Sequence, residues 1–294
     1  MRLIDGKTIS EAIKKEIAAE VASMIDKGKR APHMAAILVG NDGASETYVA
    51  SKEKNCRSVG MTSSLYRYDA GISEKELLDA ISFLNQDDDV DGFIVQLPLP
   101  KHMDVDKVIR AIDPEKDIDG FHPVNMGCLV LGEDTFVPAT PYGIMELLER
   151  AGIETSGKKC VVLGRSNIVG TPMALLMSRN NPHANATVTI CHSKTADLAA
   201  EARMADILVA AIGKPGFVTA DMVKEGAVVV DVGIHRVEDK TRQNGFRLVG
   251  DVDFDQVAPK CSAITPVPGG VGPMTIAALL MNTMKAYRKH ISAR

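Results

Sequence analysis

Tryptophan is absent from this sequence, and seven phenylalanines and five tyrosines are its only benzene-ring side chains. So few rings argue against a surface that stacks on nucleic-acid bases. A charge excess is missing too: 34 lysines and arginines face 38 aspartates and glutamates, a net charge of −4. Phosphate-backbone binding draws on a basic excess, so no nucleic-acid partner is expected. Cysteine is sparse. Cys56, Cys128, Cys160, Cys191 and Cys261 are scattered, odd in number and without a CxxC pair. Neither a metal site nor a disulfide framework is expected. No apolar run approaches membrane-spanning length, so no membrane role is expected. The opening Met1-Arg-Leu-Ile-Asp-Gly6 lacks the apolar core of a signal peptide, which predicts a cytoplasmic protein. Internal repeats and low-complexity segments are also absent.

What is present is ordinary globular composition, 45% apolar and 24% charged. A length of 294 residues suits two domains, each with its own core. Helix and strand signals alternate. Ile13, Ile17, Val21 and Met24 recur at helical spacing and stop at Gly28, predicting a helix over 10–27. Further helices are expected over 45–59, 73–85, 105–112, 141–151, 171–177 and 197–204, with a long last one to about 289. Ser73 and Glu76 form a capping-box signature at the head of the third. Strands are expected over 34–39, 64–68, 91–97, 158–163, 187–191, 206–212, 227–232 and 248–252, and a loop over 113–123. Repeated βα units with short loops imply right-handed crossovers and parallel sheets. The expected class is α/β: two α/β domains, the second Rossmann-like with a parallel sheet, and a cleft between them.

The segment Gly164-Arg-Ser-Asn-Ile-Val-Gly170 lies between a short β-branched run and Thr171-Pro-Met-Ala-Leu-Leu-Met177. That order is strand, glycine turn, helix. Such a turn aims backbone N–H groups at whatever sits above it, and a phosphate fits there. The spacing is not GxGxxG, and an ordinary βα turn would read the same way. In a dinucleotide fold an acid ending the second strand holds the free ribose hydroxyls of NAD. Here that strand ends Thr189-Ile-Cys-His-Ser-Lys-Thr195, without an acid. Arg165, with Ser193 and Lys194 nearby in sequence pattern, suits a 2′-phosphate, which favours NADP; a solvated surface arginine is the alternative.

Chemistry must then come from the first half. Tyr48 and Lys52 are four apart and share a helix face. A tyrosine packed on a surface lysine stem has the same spacing. Gln96 interrupts the apolar run Phe93-Ile-Val-Gln-Leu97. A buried amide needs partners, since leaving one unpaired costs roughly 1–3 kcal/mol. Lys52 is a natural partner if the strand end faces that helix. Asp119, in Asp117-Ile-Asp-Gly120, also reads as a turn aspartate. His122 and His192 read as structural. The segment Thr265-Pro-Val-Pro-Gly-Gly-Val-Gly-Pro273 gives a stiff backbone without bulk, able to approach a flat ligand closely; the alternative is a domain linker.

Six motifs together resemble one family: Tyr48-Val-Ala-Ser-Lys52, Val95-Gln-Leu-Pro-Leu-Pro100, Lys116-Asp-Ile-Asp-Gly120, Gly164-Arg-Ser-x-x-Val-Gly170, Cys191-His-Ser-Lys-Thr195 and Pro266-Val-Pro-Gly-Gly-Val-Gly-Pro-Met-Thr275. In this order, spread over nearly the whole chain, they are similar to the bifunctional methylenetetrahydrofolate dehydrogenase/methenyltetrahydrofolate cyclohydrolases. The resemblance implies a catalytic folate-binding domain over 1–140, completed by the C-terminal helix 272–294, and an NADP-binding domain over 141–271. It implies that Lys52 is the catalytic lysine, that Gln96 bonds and tunes it, that Tyr48 lies against the folate rings, and that Asp119 anchors the pterin amino edge. Val95 and Leu97 flank Gln96 in the same folate strand. Gly164, Arg165 and Ser166 would form the phosphate turn, Ser193 would lie near the adenosine phosphate, and Ile234 would contact the nicotinamide side through its backbone. Pro268, Gly269, Gly270, Val271, Gly272, Pro273 and Thr275 would close over folate and nicotinamide. A small-molecule folate substrate, NADP and a homodimer follow from the same resemblance. Three rivals are a dehydrogenase lacking the hydrolase, a shikimate-type dehydrogenase and a noncatalytic nucleotide sensor.

Overall fold

The computed structural model describes residues 1–242 and 245–292, in two compact units. One comprises Met1–Glu11 and Thr140–Thr275, the other Ala12–Ala139 and Ile276–Arg294. The first residues group with the nucleotide-type half, whereas the resemblance counts them in the catalytic domain over 1–140. The cause is β1 (Arg2–Leu3), which pairs in parallel with β11 (Ala263–Ile264). Residues 293 and 294 of the expected last helix lie outside the described residues.

The second of these units is built on a three-stranded parallel sheet. β2 (His33–Val39) is central, flanked by β3 (Thr62–Tyr68) and β4 (Gly92–Val95). α1 (Gly6–Asp26) leads into β2, α2 (Gly43–Ser58) connects β2 to β3, and α3 (Glu74–Gln86) connects β3 to β4. Side chains alternate across β2. Ala35, Ile37 and Val39 pack with Leu77, Ile81 and Leu84 of α3 and with Val108 of α4 (Val105–Ala111). On the other face Met34 meets Cys56 of α2, sulfur to sulfur at 3.7 Å. The capping box at Ser73 and Glu76 is formed. The expected loop through 123 ends one residue early. Pro123 begins α5 (Pro123–Leu131), whose first turn is capped by His122 Nδ1, accepting from Val124 N at 3.1 Å. Sequence patterning misses this helix because Val124, Val130 and Leu131 face solvent, so its apolar residues draw no buried stripe.

The other unit carries a six-stranded sheet in the order β1-β11-β8-β7-β5-β6, parallel throughout. Its further strands are β5 (Lys159–Leu163), β6 (Thr187–Cys191), β7 (Ile207–Ala210) and β8 (Val228–Asp231). α6 (Ala139–Arg150) precedes β5; α7 (Gly170–Ser178) and α8 (Leu198–Arg203) are its crossovers, and α9 (Phe254–Val257) precedes β11. α10 (Val271–Ser292) follows β11. The strand expected over 248–252 is instead β10 (Phe246–Val249), antiparallel to β9 (His235–Glu238) in a hairpin. The charged sequence His-Arg-Val-Glu of β9 hides the strand, because neither hairpin strand is buried. The order reverses at β5: β6 lies on one side and β7 on the other. The ends of β5 and β7 therefore flank the switch point where open α/β sheets bind ligands.

Candidate active site

The lysine site grows out of α2. Asp42 starts the helix by accepting from Ser45 N at 2.8 Å. Ser45, Val49, Cys56 and Val59 are buried at spacings that keep one face of the helix toward the core. Lys52 sits in that same stripe, three residues after Val49 and four before Cys56. A charged residue inside a buried stripe is the sequence signal for this site, and it is stronger than the Tyr48–Lys52 spacing. Lys52 Nζ donates to Gln96 Oε1 at 3.1 Å, as the strand-to-helix reading expects.

Gln96 is half-buried rather than buried, one residue beyond the end of β4. Its N–H bonds Ile37 O at 2.9 Å, which continues the sheet. Its side-chain Nε2 donates to Leu97 O at 2.7 Å. That bond fixes the amide orientation and leaves the carbonyl oxygen facing Lys52. Tyr48 lies one turn before Lys52 and is 38% exposed.

A single glycine brings the acid to the same strand end. Phe93 bridges in parallel to Asp117, and Phe93 N donates to Lys116 O at 2.9 Å. A side chain at Gly92 would put its Cβ 2.2 Å from Ile118 Cγ2, so only glycine admits the segment beside β4. The chain turns directly after the bridge, with Gly120 N donating to Asp117 O at 3.1 Å, and Asp119 lies in that turn. There it lines a depression with Val95, Leu97, Ile109 and Phe121.

The two aspartates of this segment divide the work. Asp117 is buried and accepts from Gly120 N at 3.2 Å, His122 N at 2.7 Å and Asn125 Nδ2 at 2.9 Å. It is the turn aspartate, and burial pushes its carboxyl up to about 6. Asp119 accepts no hydrogen bond among the described residues. Burial raises its pKa, while the charge of Lys52 pulls it back down. A carboxylate without a protein donor, under the charge of Lys52, can accept from the donor edge of a ligand.

In the six-stranded unit the glycine turn is shaped by collisions it avoids. A Cβ on Gly164 would lie 2.2 Å from Ala211 O, and one on Gly170 would lie 2.2 Å from Gly164 O. Gly164 also has φ +125°, a conformation side chains resist. The loop after β5 thereby packs on the chain leaving β7, at the switch point. Ser166 Oγ accepts from Val169 N at 3.2 Å and Gly170 N at 3.4 Å, holding the turn from within. Among the described residues the N–H groups of Arg165, Ser166, Asn167 and Ile168 have no acceptor, and the exposed Arg165 has no ion-pair partner. Leu163 and Cys191 are register partners, so Ser193 and Lys194, both exposed, leave the sheet at the same edge. His192 is structural there, its Nδ1 accepting from Lys194 N at 3.2 Å. Ile234 leaves β8 at that edge and is 44% exposed. The cradle, free amides and free guanidinium fit a dinucleotide phosphate.

The proline-glycine loop is anchored within the same unit. Lys7 N donates to Gly269 O at 3.0 Å, and a Cβ on Gly6 would lie 1.9 Å from Gly270 O. Gly270 and Val271 are buried, Thr275 Oγ1 lies 3.1 Å from Thr140 Oγ1, and Pro268 and Gly272 face solvent. Gly269 and Pro273 are half-buried.

These features define a nucleotide-dependent α/β enzyme with a lysine-centred site. Comparison with known proteins narrows the class. Residues 4–119 match the tetrahydrofolate dehydrogenase/cyclohydrolase catalytic domain, and residues 138–291 match the NAD(P)-binding domain of the same family. A bifunctional protein FolD from Phocaeicola vulgatus is 62% identical over 291 residues, covering 99% of each chain. The FolD methylenetetrahydrofolate dehydrogenase/cyclohydrolase of Campylobacter jejuni is 48% identical with a TM-score of 0.92, covering 98% of this chain and 99% of that one. The Trypanosoma brucei FolD, solved with NADP cofactor and inhibitor, is 39% identical with a TM-score of 0.92, covering 98% of each chain. The chain belongs to the tetrahydrofolate dehydrogenase/cyclohydrolase family. It is an oxidoreductase and hydrolase of folate one-carbon metabolism. No helix among the described residues is long and apolar enough to cross a membrane.

Proposed function

We propose that this enzyme oxidises 5,10-methylenetetrahydrofolate with NADP⁺ and then hydrolyses 5,10-methenyltetrahydrofolate to 10-formyltetrahydrofolate, with Lys52 moving the protons of the second step. One observation carries the reading: Lys52 Nζ is held at 3.1 Å by a neutral amide, and its charge acts on the Asp119 carboxylate, which has no protein donor. NADP⁺, when bound, supplies the hydride acceptor. Arg165, Ser193 and the amides of the glycine turn would hold its phosphates. The role of the other side chains is orientation, because hydride transfer depends on how the donor carbon is placed. Asp119 would accept from the pterin amino edge, and Tyr48 would cover the ring face. Val95 and Leu97 give the depression its apolar wall, and the Pro268–Thr275 stretch would close on the ligands.

Hydrolysis asks more of the chain. Water adds to the methenyl carbon, a proton must leave that water, and a ring nitrogen must take one as the tetrahedral intermediate opens. Lys52 is the group in this site able to do both. Gln96 orients the amine through a carbonyl without bringing a second negative charge. Lys52→Met is therefore expected to lower hydrolysis by about a hundredfold or more, followed as loss of methenyl absorbance. Cyclohydrolase activity retained in that variant removes the assignment. A cytoplasmic homodimer completes the proposal, and a monomer by light scattering at assay concentration removes that part.

A further inference from the structure

Asp251 is fully buried, with no exposed surface. It accepts three consecutive backbone N–H groups from the loop that follows β7: Ile212 N at 2.6 Å, Gly213 N at 2.9 Å and Lys214 N at 3.0 Å. His235 Nε2 lies 2.7 Å from Asp251 Oδ1 and completes its shell. A second buried acid braces the first. Asp231, at the end of β8, accepts from Gly233 N at 2.9 Å, Asp251 N at 2.8 Å and Val252 N at 3.0 Å. Two glycines make room for the pair. A Cβ on Gly233 would lie 2.4 Å from Asp251 N, and one on Gly250 would lie 1.8 Å from Asp231 Oδ2. Two buried carboxylates with six backbone donors are a large investment for one corner of the fold.

The loop they hold is the one whose Ala211 carbonyl backs the phosphate turn at Gly164. The chain they hold on the other side, through Gly233, carries Ile234. The N–H groups of the loop turn inward to Asp251, while Lys214 is exposed and its ammonium lies 5.6 Å from the Phe217 ring centre. We propose that Asp251, assisted by His235, is a positioning residue for the nicotinamide nucleotide: it fixes the Ile212-Gly-Lys214 loop and the Gly233-Ile234 turn that frame the dinucleotide. The proposal rests on the nucleotide reading of the six-stranded unit given above.

The chemistry of the carboxylate makes it testable. Both oxygens of Asp251 face donors. In Asp251→Asn one oxygen becomes an NH₂ group and must confront an N–H, so the shell cannot be satisfied. The full chain is assayed for NADPH binding by fluorescence titration, for NADP-dependent dehydrogenase kinetics, and for hydrolysis of methenyltetrahydrofolate without nucleotide. Asp251→Asn is expected to raise the Kd for NADPH and the KM for NADP at least about tenfold, with nucleotide-free hydrolysis within about twofold of the unmodified chain. His235→Ala is expected to raise the same KM several-fold, and His235→Gln, which keeps a donor, to restore most of it. Unchanged NADPH binding in Asp251→Asn overturns the proposal. An equal loss of hydrolysis also overturns it, because it marks a general structural role. Failure of the unmodified chain to bind NADPH overturns the nucleotide reading and this proposal together.

Discussion

The two units leave different kinds of group unsatisfied. In the three-stranded unit it is a side chain, the half-buried Asp119 carboxylate, which has no protein donor and feels the charge of Lys52. In the six-stranded unit it is the backbone of 165–168 and the exposed guanidinium of Arg165. Elsewhere in both units, buried acids are saturated: Asp117, Asp231 and Asp251 each accept at least three hydrogen bonds. A protein interior satisfies its polar groups because an unmet one costs free energy. Capacity left open at a strand end is therefore where a ligand is meant to enter, as a carboxylate in one unit and as amides and a cation in the other.

The largest effect expected from probing that contrast comes from Asp117. Its folded pKa of about 6 lies above the ordinary 3.8, so the native state keeps a proton that the unfolded chain has already lost. The contribution of this group to stability is complete below about pH 4 and declines as pH rises through about 6, by up to about 3 kcal/mol. Denaturant unfolding of the unmodified chain and of Asp117→Asn, each at pH 4 and pH 7, is expected to show their stability difference shifting against the unmodified chain at the higher pH. A pH-independent difference would blur the distinction between Asp117 and Asp119. Next in size is Arg165→Ala, expected to weaken NADP binding roughly tenfold or more and NAD binding little. Equal losses for both nucleotides would make Arg165 a general phosphate contact. The smallest concerns Thr155 in the six-stranded unit, whose Oγ1 is the one fully buried side-chain nitrogen or oxygen among the described residues without a partner. It lies away from both sites, so the rule predicts a simple energetic cost. Thr155→Val is expected to stabilise the chain by about 1 kcal/mol in the same unfolding assay.

Much of this was legible in the sequence. Strands over the β2, β5, β7 and β8 regions stand where apolar runs predict them, because parallel strands buried on both faces read as continuous apolar segments, and the exposed edge strand β6 stands where its β-branched residues predict it. The Lys52–Gln96 pair was legible because an amide in an apolar run asks for a partner. Other features were not. α5 and the β9–β10 hairpin stay partly exposed, so no periodic apolar signal marks them. β1 is two residues long and is defined only by a partner 261 positions away. Asp251 falls inside the strand expected over 248–252, whereas its role depends on amides of a distant loop. The division of labour between Asp117 and Asp119 also waited on the fold, since the bridge to Phe93 decides which acid is turned inward.

Folate affinity of Asp119→Ala, titrated on the full chain with a tetrahydrofolate analogue and set beside its melting temperature, tests the central claim most directly. An open carboxylate reserved for the ligand predicts an affinity loss of at least about tenfold and a melting temperature no lower than that of the unmodified chain. Unchanged affinity, or a destabilised fold with affinity intact, would show that the acid beside Lys52 serves the protein and not its substrate.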